Sequence, residues 1–539
     1  MRMFVRSTFV VAIALATTLN TLYAQRGADW TTVGNDAQRS SWVRRDAKIS
    51  PETMRKPGFE LVWKVKLKNE ARQLASLTPP ALLDFYISYR GFRSLGFLGG
   101  SSGTVTGIDI DLARMEWEKR FPAPSAAPSS PECPGGMTSS VTRPTVTGYP
   151  AATGVGFGRG TPAKSGVGEP FDGAVTLRER EARLAAPPPP AAPTNRRTAP
   201  PSNPYTPTVQ YVHAITADGK LHSMYVSNGD EPNPAVDFLP PGANARGLMV
   251  FDKTAYVATV NGCGGAENGI WALNLESKKV TRWKSDSGVV GHAGFAAGPD
   301  GTLYVASRNG ELVALEAGTL TVKATYRSGT GFSSTPLVFD YKDKDLIAVA
   351  TSEGKIQLLE AGALNGPALA TTQAFSSEDF ATGSLASWQD AAGTRWVLAP
   401  AGGSVAAAGF AVGNGEVKNG AIVAFKIVEE NGRFTLQPGW VSRGIGSPLP
   451  PAIVNGVVFA LASGEFRSGE ARPTASQRAK GSANAVLYAL DAATGKELWN
   501  SGNSIASYVH SGQLAAGGGR VYVGGHDGTQ YAFGFPMEH

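Results

Sequence analysis

The chain of 539 residues is poor in cysteine, in charged residues and in long apolar runs. Its two cysteines, Cys133 and Cys263, lie outside any CxxC or CxxCH motif, which disfavours structural zinc and covalently attached haem. Charged residues make up only 17% of the chain, and no basic stripe with interleaved aromatics indicates nucleic-acid binding. Beyond the N-terminus no segment has 18 continuous apolar residues, so we expect no integral membrane segment in the mature chain.

The N-terminus has the order of features that is typical of a secretory signal peptide. Arg2 and Arg6 precede an apolar stretch from Phe9 to Leu22, and Ala24 offers a cleavage point. A membrane anchor is the alternative, and the polar residues that interrupt the apolar stretch argue against it. We therefore predict a signal peptide over residues 1–24 and a mature protein that is periplasmic or secreted.

An internal repeat is the strongest pattern in the chain. Its clearest copy, LYALDAATGKELW, runs from Leu487 to Trp499, and related copies run from Ile270 to Trp283 and from Val105 to Trp117. Apolar alternation predicts a strand, an acidic or Asn residue begins a turn, and a second strand ends in Trp. Asn-Gly and Asp-Gly pairs mark further hairpins. Four strands joined by three hairpins form one blade of a β-propeller.

These copies predict an all-β fold, an eight-bladed β-propeller with four-stranded antiparallel blades. The segment from Glu60 to Leu67 is a lone strand, which we expect to complete the last blade and close the ring, leaving no exposed strand edge. A seven-bladed ring is the alternative because the copy at residues 208–239 is thin. The predicted blades start near residues 79, 208, 240, 290, 330, 380, 446 and 508.

One stretch breaks the repeat. Residues 122–207 are rich in Pro, Ala and Gly, and such a composition buries too little apolar surface to offset the entropy of ordering. We predict a disordered insertion there, with a tolerated insertion favoured over a partner-binding arm. The predicted organisation is a signal peptide (1–24), a lead-in with the ring-closing strand and first blade (25–121), the insertion (122–207), the remaining blades (208–535) and a C-terminal tail (536–539).

The repeat is similar to that of one known group of proteins. Asp29-Trp30, Gly34-Asn35-Asp36 and Arg39-Ser40 resemble the N-terminal lead-in of pyrroloquinoline quinone (PQQ) repeat propellers, and the A-L-D-x-x-T-G-K-x-x-W string resembles their tryptophan-docking repeat. The resemblance covers nearly all of residues 29–121 and 205–535. It implies the architecture, whereas the group includes both quinoprotein dehydrogenases and propellers without a cofactor.

The residues that would carry quinoprotein chemistry are harder to find. A dehydrogenase of this group needs an aromatic floor, Ca²⁺ held by oxygen ligands and an Asp base, and many members also carry two adjacent cysteines. This chain has no adjacent cysteine pair, and no calcium-ligand set aligns onto it. The favoured function is therefore a non-catalytic binding or assembly scaffold for a protein partner or small ligand at a propeller face. The alternative is a PQQ- and Ca²⁺-dependent dehydrogenase that oxidises an alcohol or sugar.

Five polar residues are candidates for lining the central channel, because each precedes the first strand of a predicted blade. Such residues form either a ligand site at the channel mouth or a merely solvated lining. The blade count places His292 and His510 on opposite sides of the ring. Metal–imidazole bonds are about 2 Å long, so no metal is predicted between them. The candidates are His292, Ser333, Ser384, Ser447 and His510.

Two further groups of residues are predicted to be structural. The tryptophans that end the repeats are expected to pack one blade on the next, with a ligand cage as the alternative; they are Trp63, Trp117, Trp283 and Trp499. The two cysteines lie in the loop-like strings PECPGG and VNGCGG. An exported protein matures where disulfides form, so we predict a Cys133–Cys263 disulfide, with two free thiols as the alternative.

Overall fold

Apolar alternation and Gly-containing turns divide the chain into short strands, which the computed structural model arranges as eight sheets. These eight sheets confirm the prediction of an eight-bladed β-propeller over a seven-bladed one. The structure describes residues 29–88, 91–122, 130–149, 210–377, 380–405, 409–466, 474–510, 512 and 514–536. The predicted signal peptide lies outside these residues.

The N-terminal half contains the first four blades. Before them lie strand β1 (Trp42–Val43), helix α1 (Pro51–Met54) and strand β2 (Glu60–Lys66). Blade one comprises β3 (Ala81–Ser88), β4 (Gly91–Gly100), β5 (Thr104–Asp109) and β6 (Arg114–Arg120). Blade two contains β7 (Tyr211–Ile215), β8 (Lys220–Tyr225) and β9 (Val236–Asp237). Blade three comprises β10 (Asn244–Phe251), β11 (Thr254–Val260), a short 3-10 helix (Cys263–Gly265), β12 (Gly269–Asn274) and β13 (Val280–Lys284). Blade four comprises β14 (Phe295–Ala297), β15 (Leu303–Ala306), β16 (Glu311–Leu315) and β17 (Val322–Arg327).

The C-terminal half contains the other four blades. Blade five comprises β18 (Leu337–Tyr341), β19 (Lys344–Ala350), β20 (Ile356–Glu360), a 3-10 helix (Ala361–Ala363) and β21 (Ala370–Thr371). Blade six comprises β22 (Ala386–Gln389), β23 (Arg395–Ala401), β24 (Val412–Gly413), β25 (Ala421–Glu430) and β26 (Arg433–Val441). Blade seven comprises β27 (Ala452–Val454), β28 (Val457–Ala462), helix α2 (Ala475–Gly481), β29 (Val486–Asp491) and β30 (Glu497–Asn500). Blade eight comprises β31 (Ala515–Gly517), β32 (Arg520–Gly524) and β33 (Thr529–Gly534).

The ring closes through strand β2. This strand pairs antiparallel with β33, with Lys64 opposite Tyr531, and so becomes the outermost strand of blade eight. The last blade therefore combines three C-terminal strands with one from the N-terminal part of the chain. This is the place that the sequence assigned to residues 60–67.

The repeat copy of blade two is thin because a residue from outside that copy takes its innermost position. Its innermost position is taken by Thr142, whose N–H and carbonyl exchange hydrogen bonds of 2.9 and 2.8 Å with His213 of β7. Residues 130–149 thus pack into blades two and three, where Met137 and Val141 are buried. Residues 130–149, which the sequence placed in the 122–207 insertion, therefore belong to the ring. Residues 150–209 lie outside the described residues.

The centre of the ring is filled by residues 29–43, which we term the axial segment. Its backbone meets the innermost strands of successive blades in order. It accepts backbone N–H bonds from Leu82 in blade one, Ala297 in blade four, Val338 in blade five, Ser387 in blade six and Ile453 in blade seven, at 2.7–3.1 Å. The central channel is therefore occupied by the protein's own chain, and the lead-in that resembles other propellers forms this core.

Arg39 anchors the axial segment. Its side chain is buried, with Nη2 donating to the carbonyl of Gly247 at 2.8 Å and Nε donating to that of Phe295 at 3.0 Å. Nη1 donates to Thr32 Oγ1 and to the carbonyl of Val33. Burial lowers the pKa of Arg39 to about 9, and the nearby Asp36 opposes that shift.

Candidate functional site

The mouth of the ring contains a cavity of about 160 Å³ above the axial segment. Loops that lead into the innermost strands surround it, and Val33 of the axial segment contributes to its lining. The wall is a mixture of small polar and apolar side chains. Residues lining the cavity are Val33, Leu74, Ala75, Ser76, Leu77, Thr78, Pro79, Pro131, Pro134, Met137, Thr138, Ser140, Asn244, Arg246, Gly247, His292, His510 and Gly512.

Arg246 supplies the positive charge at this cavity. It lies at a bulge in β10, where the pairing with β11 shifts between Arg246 and Met249. Its Nη1 donates to the carbonyl of Gly291 at 3.0 Å, and among the described residues no carboxylate pairs with it. Burial, and then repulsion from Arg308, lower the pKa of Arg246 to about 10. The guanidinium therefore stays protonated at neutral pH.

The bulge depends on Gly247. This glycine has a positive φ of 65°, and a Cβ built on it would lie 2.0 Å from the carbonyl oxygen of Ala293. No other residue fits there without displacing backbone. Arg246 was not among the site residues predicted from the sequence. The Arg-Gly pair inside the otherwise apolar strand NARGLMVF is the feature from which it could have been predicted.

His292 borders the cavity from the start of blade four. Its backbone N–H donates to the carbonyl of Gly383 at 3.1 Å. Its ring packs over the same glycine, where an added Cβ would lie 2.5 Å from Cε1. His292 is therefore held by contacts with the loop that precedes blade six.

His510 borders the cavity from the start of blade eight. Its Nδ1 lies 2.8 Å from Oε1 of Glu465, and Arg478 of helix α2 donates to the same oxygen from 3.0 Å. The side chain of Glu465 is completely buried. Glu465 is therefore paired with both Arg478 and His510.

The two histidines therefore border one cavity, which corrects the expectation that the ring keeps them apart. That expectation assumed a wide, open channel, whereas the axial segment and residues 131–140 narrow the mouth. In the part of the chain that the structure describes, no group of three or more His, Cys, Asp or Glu side chains is placed to hold a metal ion.

The three candidate serines do not line this cavity. Ser333 Oγ donates to the carbonyl of Thr351 at 3.0 Å. Ser384 is buried, and its N–H donates to the carbonyl of Thr382. Ser447 has a φ of 46°, and its N–H donates to the carbonyl of Asn419. Their hydrogen bonds stabilise the loops that enter blades five, six and seven.

The predicted docking tryptophans meet neighbouring blades rather than the cavity. Trp63 Nε1 donates to the carbonyl of Ile110, and Trp117 Nε1 to that of Val226, each at 3.0 Å. Trp440, which the sequence analysis did not select, is fully buried and donates to Ala492 at 2.9 Å. Trp283 and Trp499 are half-buried and pack against the apolar core. No tryptophan is among the residues that line the cavity.

A disulfide holds the rim of the cavity. Cys133 and Cys263 are bonded, with their Cα atoms 5.5 Å apart, as the sequence predicted. The carbonyl of the adjacent Glu132 accepts from Asn244 Nδ2 at 2.8 Å and from Asn261 Nδ2 at 2.9 Å. The segment that brings Pro131 and Pro134 over the mouth is thus fixed to blade three.

Comparisons with known proteins define the class to which this ring belongs. The model of the outer membrane protein assembly factor BamB family matches residues 268–484. The quinohemoprotein alcohol dehydrogenase of Comamonas testosteroni superposes with a TM-score of 0.53 at 13% identity, over 95% of this chain and 81% of that one. A second quinohemoprotein alcohol dehydrogenase, from Pseudomonas putida HK5, gives 0.51 at 12% identity, with the same coverages. The BamB structure from Moraxella catarrhalis gives 0.45 at 14%, over 89% and 99%. No curated protein sequence matches the chain.

The fold and the repeats together make this chain an eight-bladed β-propeller with a filled axis. More narrowly, residues 268–484 are similar to a PQQ-repeat family, and the two superpositions above 0.5 show that the chain shares the propeller fold of quinohemoprotein alcohol dehydrogenases. At identities of 12 and 13%, these superpositions establish the fold and no activity.

The cavity does not fit a calcium-bound quinone. Calcium takes about 6–8 oxygen ligands, usually including carboxylates, and the described residues of the lining include no Asp or Glu. They also include no Phe, Tyr or Trp that could form an aromatic floor. Its volume of about 160 Å³ is roughly half of the lower limit of about 300 Å³ for pockets that enclose drug-sized ligands.

Proposed function

We propose that the protein is an exported, non-catalytic binding or assembly scaffold, and that the channel mouth is its ligand site. The observation that carries this proposal is the lining of the cavity, which combines Arg246 and two histidines with small and apolar side chains. Such a lining binds a group and orients it.

A protein partner is the favoured ligand. The family whose model matches the chain is named for a protein assembly factor, and a propeller presents many loops on one rigid face. No helix in the described parts of the chain is long and apolar enough to cross a membrane. The proposed partner binds the propeller face around the cavity.

Export is supported by two features. The Cys133–Cys263 disulfide is of the kind that persists in oxidising compartments such as the periplasm, and the N-terminal sequence has the order of a signal peptide. N-terminal sequencing of the exported protein should find Gln25 as the first residue. A mature protein that still begins at Met1 would contradict export by cleavage.

The enzymatic alternative is tested directly. The purified, folded protein is incubated with PQQ and Ca²⁺, dialysed, and examined for quinone absorbance and for dye-linked oxidation of alcohols and sugars. We expect neither signal, because the described residues of the lining include no carboxylate to hold Ca²⁺. A stoichiometric quinone spectrum with alcohol or sugar oxidation would overturn the scaffold proposal in favour of a quinoprotein dehydrogenase.

The partner is tested by photo-crosslinking in cells. A photoreactive amino acid at Ser76, on the cavity wall, should give a specific adduct with an envelope protein. The matched control is Val322, which is exposed on the outer strand of blade four. Adducts at both positions, or at neither, would contradict a partner at the channel mouth.

A further inference from the structure

We infer that the channel mouth binds a carboxylate with a short apolar stem, presented by an acidic side chain or chain terminus of a protein partner. The inference rests on the proposed function and specifies the chemistry that the scaffold recognises. The charge of Arg246, the apolar part of the lining and the size of the cavity carry it.

The charge at the cavity is not balanced. In the described part of the chain the side chain of Arg246 makes one hydrogen bond, from Nη1 to the carbonyl of Gly291. Glu465 is shared between Arg478 and His510, and no acid is among the described residues that line the cavity. A partly buried guanidinium without a counter-charge favours an anion, and its planar N–H groups match the two oxygens of a carboxylate.

The rest of the lining selects among anions. Leu74, Leu77 and Met137 line the same small cavity as Arg246. Phosphate or sulfate carries oxygen atoms on every side, and these three side chains offer them no donor. A carboxylate on an alkyl stem has two oxygens at one end and methylene groups at the other. The oxygens can accept from Arg246 while the methylene groups contact the apolar side chains.

The size of the cavity sets the length of the ligand. A volume of about 160 Å³ is small beside the roughly 300 Å³ or more of pockets that enclose drug-sized ligands. The part of a glutamate side chain beyond Cα consists of only three carbons and two oxygens, which suits a cavity of this kind. A larger acid would leave its remaining atoms outside the mouth, as a side chain on a partner does.

The site is held in place before any ligand binds. Gly247 permits the bulge that carries Arg246, and a side chain there would collide with Ala293. The Cys133–Cys263 disulfide and Asn244 hold the rim above it. A preorganised site loses little conformational entropy on binding, which favours recognition of a small group.

The first test titrates the full exported chain with propionate, propionamide and inorganic phosphate, and follows binding by saturation-transfer NMR and by melting temperature. Propionate should bind and raise the melting temperature. Propionamide, which has the same shape without the charge, and phosphate should do neither. Equal effects of propionamide or phosphate would overturn the carboxylate assignment.

The second test locates the site. Arg246→Gln should weaken propionate binding by about tenfold or more, which is the loss of one charged hydrogen-bond pair. Arg246→Lys keeps the positive charge but lacks the paired N–H donors of the guanidinium, so its loss of propionate affinity should be smaller than that of Arg246→Gln. Arg433→Gln, which removes an exposed charge on β26, is the matched control and should bind propionate normally. Unchanged binding in Arg246→Gln would overturn the site. Should Arg246→Gln not fold, the wild-type titration and Arg246→Lys decide the question.

The third test separates the source of the carboxylate and separates this inference from the proposed function. The adduct at Ser76 should be lost in Arg246→Gln and should be competed by millimolar propionate. An adduct that persists under both conditions leaves the scaffold function standing and overturns the carboxylate inference. Propionate binding without any adduct at Ser76 would indicate a free small carboxylate and overturn the partner-borne one.

Discussion

Arg39 at the centre of the ring donates a hydrogen bond of 2.8 Å from Nη2 to the carbonyl oxygen of Gly247. Gly247 directly follows Arg246, so the axial segment supports the same bulge that brings Arg246 to the cavity. The axial segment therefore both fills the channel and positions the candidate site.

The first prediction follows from that contact. Arg39→Met should leave the buried carbonyls of Gly247 and Phe295 without their donors and lower the free energy of unfolding by about 3 kcal/mol or more. Chemical denaturation measures the change. Arg433→Met, at an exposed position, should stay within about 0.5 kcal/mol of the wild type. Equal stability of the two variants would show that the axial segment does not stabilise the ring.

The second prediction ranks the docking tryptophans. Trp440 is fully buried, bonds to Ala492 and packs against Gly495, where an added Cβ would lie 2.3 Å from its ring. Trp440→Ala should cost about 3–5 kcal/mol of stability. Trp499→Ala should cost less, because Trp499 is half-buried beside Phe59. A larger loss of unfolding free energy in Trp440→Ala than in Trp499→Ala is expected in chemical denaturation. The opposite result would contradict the docking role of Trp440 between blades six and seven.

The third prediction concerns the disulfide. Cys133 and Cys263 are 130 residues apart in sequence, and in the chain-entropy model a loop of about 100 residues contributes about 4.7 kcal/mol. The double variant Cys133→Ser/Cys263→Ser should therefore unfold at clearly lower denaturant concentration than the oxidised wild type. Reduced wild type is the control and should match the double variant. Coincident curves for all three samples would refute the stabilising role, and two alkylatable thiols in the exported protein would refute the bond.

The fourth prediction concerns pH. His213 is buried in β7, and burial lowers its pKa from the ordinary 6.5 to about 4. Between these values the unfolded state binds more protons than the folded state, so stability is complete above pH 6.5 and declines as the pH falls towards 4. The decline due to this residue should be of the order of 3 kcal/mol.

The test of this prediction compares two variants across pH 4–6.5. His213→Asn removes the titrating ring, so its unfolding free energy should vary less with pH than that of the wild type. Ser223→Ala removes the hydroxyl that lies 2.9 Å from His213 Nδ1 but keeps the ring, so the pH dependence should remain. A parallel pH dependence for His213→Asn and the wild type would refute the assignment.

The fifth prediction concerns ring closure. Deletion of residues 60–67 removes β2 and exposes the edge of β33, and an unpaired edge associates with other strands. We expect a lower melting temperature and oligomers in size-exclusion chromatography with light scattering. A monomeric deletion variant with an unchanged melting temperature would show that β2 is dispensable for closure.

Local sequence patterns were sufficient to predict much of the architecture. Period-two alternation, Asn-Gly and Asp-Gly turns and the repeated Trp are short-range features, and they predicted strands, hairpins and eight blades. The disulfide could also be predicted, because a chain with two cysteines has only one possible pairing. The ring-closing strand could be located for a similar reason, since the last blade stops one strand short.

The tertiary structure alone decided the site. His292 and His510 lie on blades four and eight, and only the filling of the channel by residues 29–43 and 131–140 makes them border the same small cavity. The innermost position of blade two is taken by Thr142, which precedes the 150–209 stretch in sequence. A local repeat pattern does not reveal a pairing between residues so far apart. Arg246 gains its role from a bulge and from a neighbouring glycine that tolerates positive φ. Strand patterns depend on neighbours in sequence, whereas a charge without a partner depends on what the whole ring brings near it.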